Sequence, residues 1–451
     1  MTNSINTREV ILGILLKVNE EGEYSHIVLR NVLEKYQFLS KQDRAFITRV
    51  VEGTLENMVQ IDYIIDQFSS VKVDKMKPVI RNIIRSAVYQ IRYMNGVPDS
   101  AVCNEAVKLA QKKGFYSLKG FINGVIRNIA RKIDTVEYPD QIKDVTNYLS
   151  VTYSMPVWIV QKWLDQFGEK VVRIMLEDFL KEKATYVRCN LSRASKEEII
   201  EKLSKQNIQV ETCPYLDYAL MISNYNYMKA VNAFKEGLIQ VQDLSSMLVA
   251  EVADPKSGDY IIDVCAAPGG KSLHLADKLK GTGFVDARDI TDYKIQLLNE
   301  NIERNNMINM KATVMDALRF DEDSVEKADI LIADVPCSGL GVIGRKTDIK
   351  YKMNPSKQAE LITLQQRILH TVQSYVKVGG TLIYSTCTIG ADENQSNIKW
   401  FLENYPYKLE SLDPYIDDSL KSKTSKTGYL QLLPGVHKTD GFFIARLKRI
   451  K

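Results

Sequence analysis

Asp263-Val264-Cys265-Ala266-Ala267-Pro268-Gly269-Gly270-Lys271-Ser272 is the stretch on which the fold turns. A β-branched run, Tyr260-Ile261-Ile262-Asp263-Val264, enters it, a loop of small residues follows, and a helical pattern leaves it. Small side chains let backbone amides approach a ligand closely at the start of a helix. The dinucleotide pattern GxGxxG is absent. Gly270-Lys271-Ser272 has the form of a P-loop tail, but the first glycine of that motif falls on Cys265, which excludes it.

On the C-terminal side of this stretch the strand–turn–helix rhythm repeats. Strand-like runs at 283–287, 312–315, 330–333 and 381–385 are mostly separated by helical segments. This predicts a doubly wound sheet of parallel strands, with ligands beyond their carboxyl ends. Acids gather at those ends. Asp289 stands nineteen positions after Gly270, near the spacing at which an acid binds a ribose hydroxyl pair in nucleotide folds. Asp286 competes for that role but reads as lying within the strand. Asp316 follows the third strand and Asp334 the fourth. Together they suit an adenosine cofactor that carries no phosphate.

Two thiols share the same edge. Asp334-Val335-Pro336-Cys337-Ser338-Gly339 follows the fourth strand, and Tyr384-Ser385-Thr386-Cys387-Thr388 ends the fifth. A lone cysteine is ordinarily a buried structural residue. Paired at strand ends, two cysteines match a particular chemistry. Cytosine C5 is a poor nucleophile, and a thiolate adding to C6 turns C5 into an enamine-like carbon able to attack an electrophilic methyl. A base must then remove the C5 proton so that the thiolate can leave, and an acid near N3 stabilises the activated ring. By position, either cysteine could attack.

The rest of the chain supplies helices and a small sheet. From about residue 5 to 132 apolar residues recur at helical spacing, as in Ile11, Ile14, Leu15 and Val18, and Asn95-Gly96-Val97-Pro98 marks a stop. Lys112 to Lys132 is the most basic run, read either as a solvated face or as a phosphate-contacting surface. Residues 133–160 form a polar connector, a helix carrying Trp158 and Trp163 follows, and 184–237 alternates strand and helix. The expected fold is therefore multi-domain. An all-α region spans 1–132, connector helices with a small α+β module span 133–237, and a C-terminal α/β Rossmann-like domain spans 238–451.

Composition narrows the function classes. A net charge of +4 over 451 residues permits a nucleic-acid partner without requiring one. The six cysteines show no CxxC pair and no histidine at ligand spacing, which predicts reduced thiols in a cytoplasm, no disulfide framework and no metal site. Met1-Thr2-Asn3-Ser4 leads straight into a helical pattern, which predicts no signal peptide. No run approaches the ~20 apolar residues that span a bilayer.

On these motifs the sequence resembles the RNA cytosine-5 methyltransferases of the Sun/RsmB–Nop2 group, over nearly the whole chain. The resemblance implies a class I methyltransferase using S-adenosyl-L-methionine, whose methionine end is bound by Cys265, Ala266, Ala267, Pro268, Gly269, Gly270 and Lys271. It implies ribose, adenine and active-site roles for Asp289, Asp316 and Asp334, with Asp334 activating the base. It makes Cys387 the nucleophile and gives Cys337 proton removal or product release. It likens 341–351 to a substrate-side loop and the front helices to a NusB-like RNA-binding domain, with Phe121–Arg127 the nearest stretch. It implies 16S ribosomal RNA of the small subunit as substrate and a monomeric enzyme.

Val335, Thr347 and Ala391-Asp392-Glu393-Asn394 depart from the family's usual Ala, Pro and Pro-Glu-Glu-Asn, which concerns loop detail. Alternatives are an RNA-binding or antitermination-type protein with an inactive methyltransferase domain, or cytosine-5 methylation of another RNA. A DNA cytosine-5 methyltransferase has no reason to carry the Thr-Cys step. An exocyclic-amine methyltransferase needs Pro-Pro-aromatic where Pro336-Cys337 stands.

Overall fold

The computed structural model describes residues 5–451. The Met1–Ser4 opening, read above for the absence of a signal peptide, lies outside the described residues. The chain forms two compact units: residues up to Leu180 together with Ile343–Met353, and Lys181–Val342 together with Asn354–Lys451.

The first unit is helical. Asn6 accepts the N–H groups of Arg8 and Glu9 and so starts helix Thr7–Asn19, Ser40 caps Lys41–Glu56, and Pro78 opens Pro78–Tyr93. That last helix stops just before the Asn95–Pro98 turn. Ile11, Ile14, Leu15 and Val18 meet Val50, Val51, Ile83, Ile84 and Val88 in one core. The helical spacing seen in the sequence thus becomes one buried stripe per helix. Helices Val145–Thr152 and Val157–Phe179 follow, with Trp163 fully buried.

Segment Ile343–Met353 is anchored in this helical unit. Asp348 accepts the N–H and hydroxyl of Ser25, and Lys350 Nζ donates to the carbonyls of Glu56 (2.8 Å) and Ser154 (2.6 Å). Burial pushes the Lys350 amine down to about 7. Much of the 341–351 loop is therefore fastened in place, and Arg345 and Lys346 are its exposed members.

The second unit carries two sheets. The small one is antiparallel, in the order β2-β3-β1-β4, from β1 (Thr185–Cys189), β2 (Gln209–Thr212), β3 (Ala219–Ser223) and β4 (Ile239–Val241). Helix Lys196–Ser204 packs Ile199 and Leu203 against Val187, Leu220 and Ile222. β4 pairs with β1. The small sheet therefore runs past residue 237, where the sequence suggested a border, because three residues give no visible alternation.

The large sheet has strands β5 (Tyr260–Asp263), β6 (Phe284–Asp289), β7 (Met310–Val314), β8 (Ala328–Asp334), β9 (Val376–Thr386), β10 (Tyr407–Leu409), β11 (Tyr429–Leu432) and β12 (Phe442–Arg449). Its order is β10-β12-β9-β8-β5-β6-β7, with β11 also on β12. β5 to β9 are parallel, as predicted, whereas β12 runs antiparallel to β9, β10 and β11. Alternate residues face opposite cores: Ile383 and Ile444 enter one, Leu382, Tyr384, Phe443 and Ala445 the other. Strand order reverses between β5 and β8, which opens a crevice at their carboxyl ends.

Backbones pack tightly behind that crevice. The Gly341 N–H donates to the Cys387 carbonyl at 3.0 Å, and a Cβ at Gly341 would stand 2.0 Å from the Gly441 carbonyl oxygen. Gly341→Ala is expected to destabilise the protein by about 1–3 kcal/mol through forced overpacking. Gly13, inside helix Thr7–Asn19, has open space around it. Gly13→Ala is expected to stabilise by up to about 1 kcal/mol. Urea unfolding followed by circular dichroism measures both, and equal effects of the two changes would contradict this packing.

Candidate functional site

β5 delivers the chain to the crevice at Asp263, which is 1% exposed. Its carboxylate accepts the Ser272 hydroxyl from the first turn of helix Gly270–Lys278, and the Cys265 N–H at 3.4 Å. Burial pushes the Asp263 carboxyl up to about 7, opposed by the Ser272 hydrogen bond and aided by the charge of Asp334. Between these anchors the loop turns at Gly269, whose φ of 107° favours glycine.

Lys271 leaves this loop as a largely buried cation, its side chain 13% exposed. Its Nζ meets Asp334 at 2.6 Å and lies 5.3 Å over the Phe442 ring. Burial opposes the charge, but Asp334, Asp263 and Cys387 outweigh it and raise the lysine above its usual value. The other Asp334 oxygen accepts the Ser385 hydroxyl at 2.7 Å. β8 ends on Asp334 and β9 pairs it with Ser385, so the sheet register sets this contact.

Asp289 is the last residue of β6 rather than one beyond it. It accepts the N–H groups of Ala267 (2.9 Å) and Ile290 (2.7 Å) and pairs with Lys294 at 2.8 Å, so it touches the small-residue loop directly. Asp286 lies inside β6 and is engaged by Arg288 and Thr313, which makes it a structural acid. Asp316, two positions beyond β7, accepts the Leu318 N–H at 2.9 Å. With Ile290, Met315, Arg319 and Phe320 it lines an open cavity of about 600 Å³. That is the size of a small-molecule pocket.

The two thiols meet. Cys337 Sγ and Cys387 Sγ are 3.2 Å apart, and the hydroxyls of the residues that follow them, Ser338 and Thr388, are 2.7 Å apart. The hydrogen bond with Cys387 and burial hold the Cys337 thiol well above the ordinary cysteine range, and the Cys387 and Glu393 charges add to this. Cys103, Cys189 and Cys213 suit packing roles. Burial pushes the Cys189 thiol up to about 12 and the Cys213 thiol up to about 11, and it also raises Cys265 and Cys103. Among the described residues no group of three or more His, Cys, Asp or Glu side chains could hold a metal ion, and no helix is long and apolar enough to cross a membrane.

The small-residue loop, Asp289, Asp316, Asp334, Cys337 and Cys387 thus lie at this sheet edge, whereas Asp286 lies inside β6. Lys271, Asp334, Cys337 and Cys387 converge, Asp289 grips the loop, and Asp316 borders the neighbouring cavity. Sequence reading passed over Asp263, Ser385, Glu393 and Asn394. Ser385 carried a signal, as a hydroxyl at a strand end beside acids. Glu393 and Asn394 stood in the sequence as the retained Glu-Asn of a family motif read only as loop detail, and the role of Glu393 was hidden because its partners lie 28 to 55 residues away.

Comparisons with known proteins agree with this architecture. Residues 250–448 match the 16S rRNA methyltransferase RsmB/F family, residues 5–131 the NusB family, and residues 155–228 the RsmF/B-like ferredoxin-like domain. A Bacillus subtilis (strain 168) protein named probable ribosomal RNA small subunit methyltransferase B is 35% identical, with 98% of this chain and 99% of that one covered. Ribosomal RNA small subunit methyltransferase B of Cronobacter sakazakii is 28% identical, with 99% of each covered. The crystal structure of PH0851 superposes with a TM-score of 0.82 at 25% identity over 99% of both chains. That of NSun6 from Pyrococcus horikoshii with SFG shares the fold, with a TM-score of 0.59 at 23% identity over 64% of this chain and 97% of that one. With three domain matches in order along the chain and a relative similar from end to end, this protein belongs to the RsmB/F family of ribosomal RNA methyltransferases.

Proposed function

We propose that this methyltransferase modifies C5 of a cytosine in 16S ribosomal RNA, using S-adenosyl-L-methionine and a covalent bond from Cys387 to C6. The observation that carries the reading is the 3.2 Å approach of two thiols next to the Lys271–Asp334 pair. A methyltransferase acting on an oxygen or an exocyclic amine has no use for two adjacent sulfurs.

The loop side suits the cofactor. Asp263, Asp289 and Asp334 border the small-residue turn, and its Lys271 is already engaged by Asp334. Such a donor set favours a cationic sulfonium ligand without phosphate. Cys265 to Lys271, together with Asp334, would hold the methionine end, Asp289 the ribose and Asp316 the adenine. When bound, S-adenosylmethionine supplies an electrophilic methyl group.

The protein's own residues manage the ring and its protons. Burial and the shared hydrogen bond hold the Cys337 thiol well above the ordinary cysteine range, and Cys387 lies close enough to Lys271 for their charges to act on one another, which suits Cys387 as the attacking sulfur. The thiolate adds to C6, and Asp334 hydrogen-bonds the pyrimidine edge and activates the base. Cys337 then serves proton removal or product release. For release, a general base takes the C5 proton, the C5–C6 double bond re-forms and the Cys387 sulfur departs as thiolate, which an S–H at Cys337, 3.2 Å away, would stabilise.

Residues 1–132 and the 133–237 module would contribute RNA affinity, and 238–451 the chemistry, in a cytoplasmic monomer. Lys112 and Lys113 bond Glu9 on the front unit's surface. Exposed pairs of this kind contribute only about 0–1 kcal/mol and can give way to phosphate.

Three outcomes are expected. Asp289→Ala should weaken S-adenosylmethionine binding by roughly 1–3 kcal/mol in calorimetry, and unchanged affinity would remove its ribose role. Gln at Lys112, Lys113, Lys119 and Arg127 should flatten the salt dependence of RNA binding, whereas an unaltered slope would make the run a solvated face. Cys387→Ala should be inactive and hold no RNA, while Cys337→Ala should carry RNA through denaturing electrophoresis as a shifted band. The reverse pattern would exchange the roles of the two thiols. Methylation by both mutants without trapping would exclude the covalent route.

A further inference from the structure

A buried dipeptide lies behind the two thiols. Glu393 and Asn394 are both fully buried, and their side chains hold the residues on either side of each sulfur. The Glu393 carboxylate accepts the Ser338 N–H at 2.9 Å and the Ser338 hydroxyl, so the residue after Cys337 is gripped twice. It also accepts the side-chain amides of Gln358 (2.8 Å) and Gln365 (2.9 Å). Gln365 in turn donates to the carbonyl of Pro336, the residue before Cys337, at 3.0 Å.

Asn394 does the same for the other sulfur. Its Oδ1 accepts the Thr386 hydroxyl at 2.6 Å, and its Nδ2 donates to the Thr388 carbonyl at 3.2 Å and to Gln431 at 2.8 Å. The Ser338–Thr388 hydroxyl contact closes the ring between the two loops. Burying a carboxylate is costly unless its lone pairs are satisfied. Here four uncharged donors converge on the roughly four acceptor sites of one carboxylate. An apolar side chain could fill the same volume, so what the carboxylate adds is control over where Ser338 and its neighbour stand.

We propose that Glu393 and Asn394 are positioning residues that set the separation of Cys337 and Cys387, with Glu393 governing the release step through Cys337. The proposal rests on the two-thiol covalent reading above. Glu393→Gln replaces one acceptor oxygen with an NH2 group that opposes the donors already there, which frees the Ser338 end of the Cys337 loop. Attack by Cys387 survives, because Thr386 and Thr388 remain on Asn394, but release slows. A misplacement of about 1 Å is enough to lower turnover on the order of 100-fold.

The experiment compares wild type, Glu393→Gln, Cys337→Ala and Cys387→Ala with ribosomal RNA and S-adenosylmethionine, reading turnover and the shifted band on denaturing gels. Glu393→Gln should bind S-adenosylmethionine normally, turn over slowly and accumulate the same adduct as Cys337→Ala. A general loss of structure would instead remove adduct and turnover together. Should Glu393→Gln not fold, Ser338→Ala, which removes only the hydroxyl shared by Glu393 and Thr388, is expected to give the same adduct. Wild-type turnover in the folded variant, or lost turnover without adduct while Cys337→Ala holds RNA, overturns the clamp alone. If Cys337→Ala holds no RNA either, the two-thiol reading falls and the clamp with it.

Discussion

The parallel pairing of β8 with β9 is the constraint on which the site depends. Its register sets Asp334 opposite Ser385, and each strand then turns out of the sheet within a few residues. Cys337 comes three positions after Asp334 and Cys387 two after Ser385. The two sulfurs meet because the strands stop together. A shift of one residue in that pairing would turn every β9 side chain to the other face and part the thiols. The antiparallel β12 covers the far side of β9, and its Phe442 ring lies under the Lys271 cation.

Buried charge is answered locally throughout this unit. Arg188, with a side chain 0% exposed, pairs with Asp277 at 3.0 Å and ties the small sheet to the helix that begins at Gly270. Arg288 holds Asp286, and Lys271 holds Asp334. Breaking one side of the buried Arg188–Asp277 or Arg288–Asp286 pair leaves an uncompensated buried ion and costs about 3–5 kcal/mol, so these contacts fix geometry more than they add net stability. One pair thereby links the small sheet to the helix that follows the small-residue loop.

Much of this was legible in the sequence, because the signals are local. A strand entering a small-residue loop, acids at successive strand ends and two cysteines at two strand ends each occupy a short window. Repetition of that window reports a parallel sheet. Front-unit helices were legible for the same reason, since Ile83, Ile84, Ala87 and Val88 recur with the helical period and become core. What escaped depends on distant partners. The three-residue β4 has too few positions to alternate, and its strand identity comes from pairing with β1, about fifty residues earlier. The buried anchorage of Lys350 needs Glu56 and Ser154, residues that no window contains. Glu393 looks like an ordinary loop acid until Ser338, Gln358 and Gln365 close on it.

In the proposed reaction the Sγ of Cys387, held at the end of β9, bonds the base. RNA carrying 5-fluorocytosine tests it most directly, because after methyl transfer C5 has no proton to lose and the adduct cannot resolve. Protease digestion and mass spectrometry of the trapped complex then read the attachment site. One modified peptide is expected, linked through Cys387 to a methylated fluorocytosine. A nucleotide attached to Cys337, or full methylating activity on ordinary RNA with no trapped peptide, would contradict it.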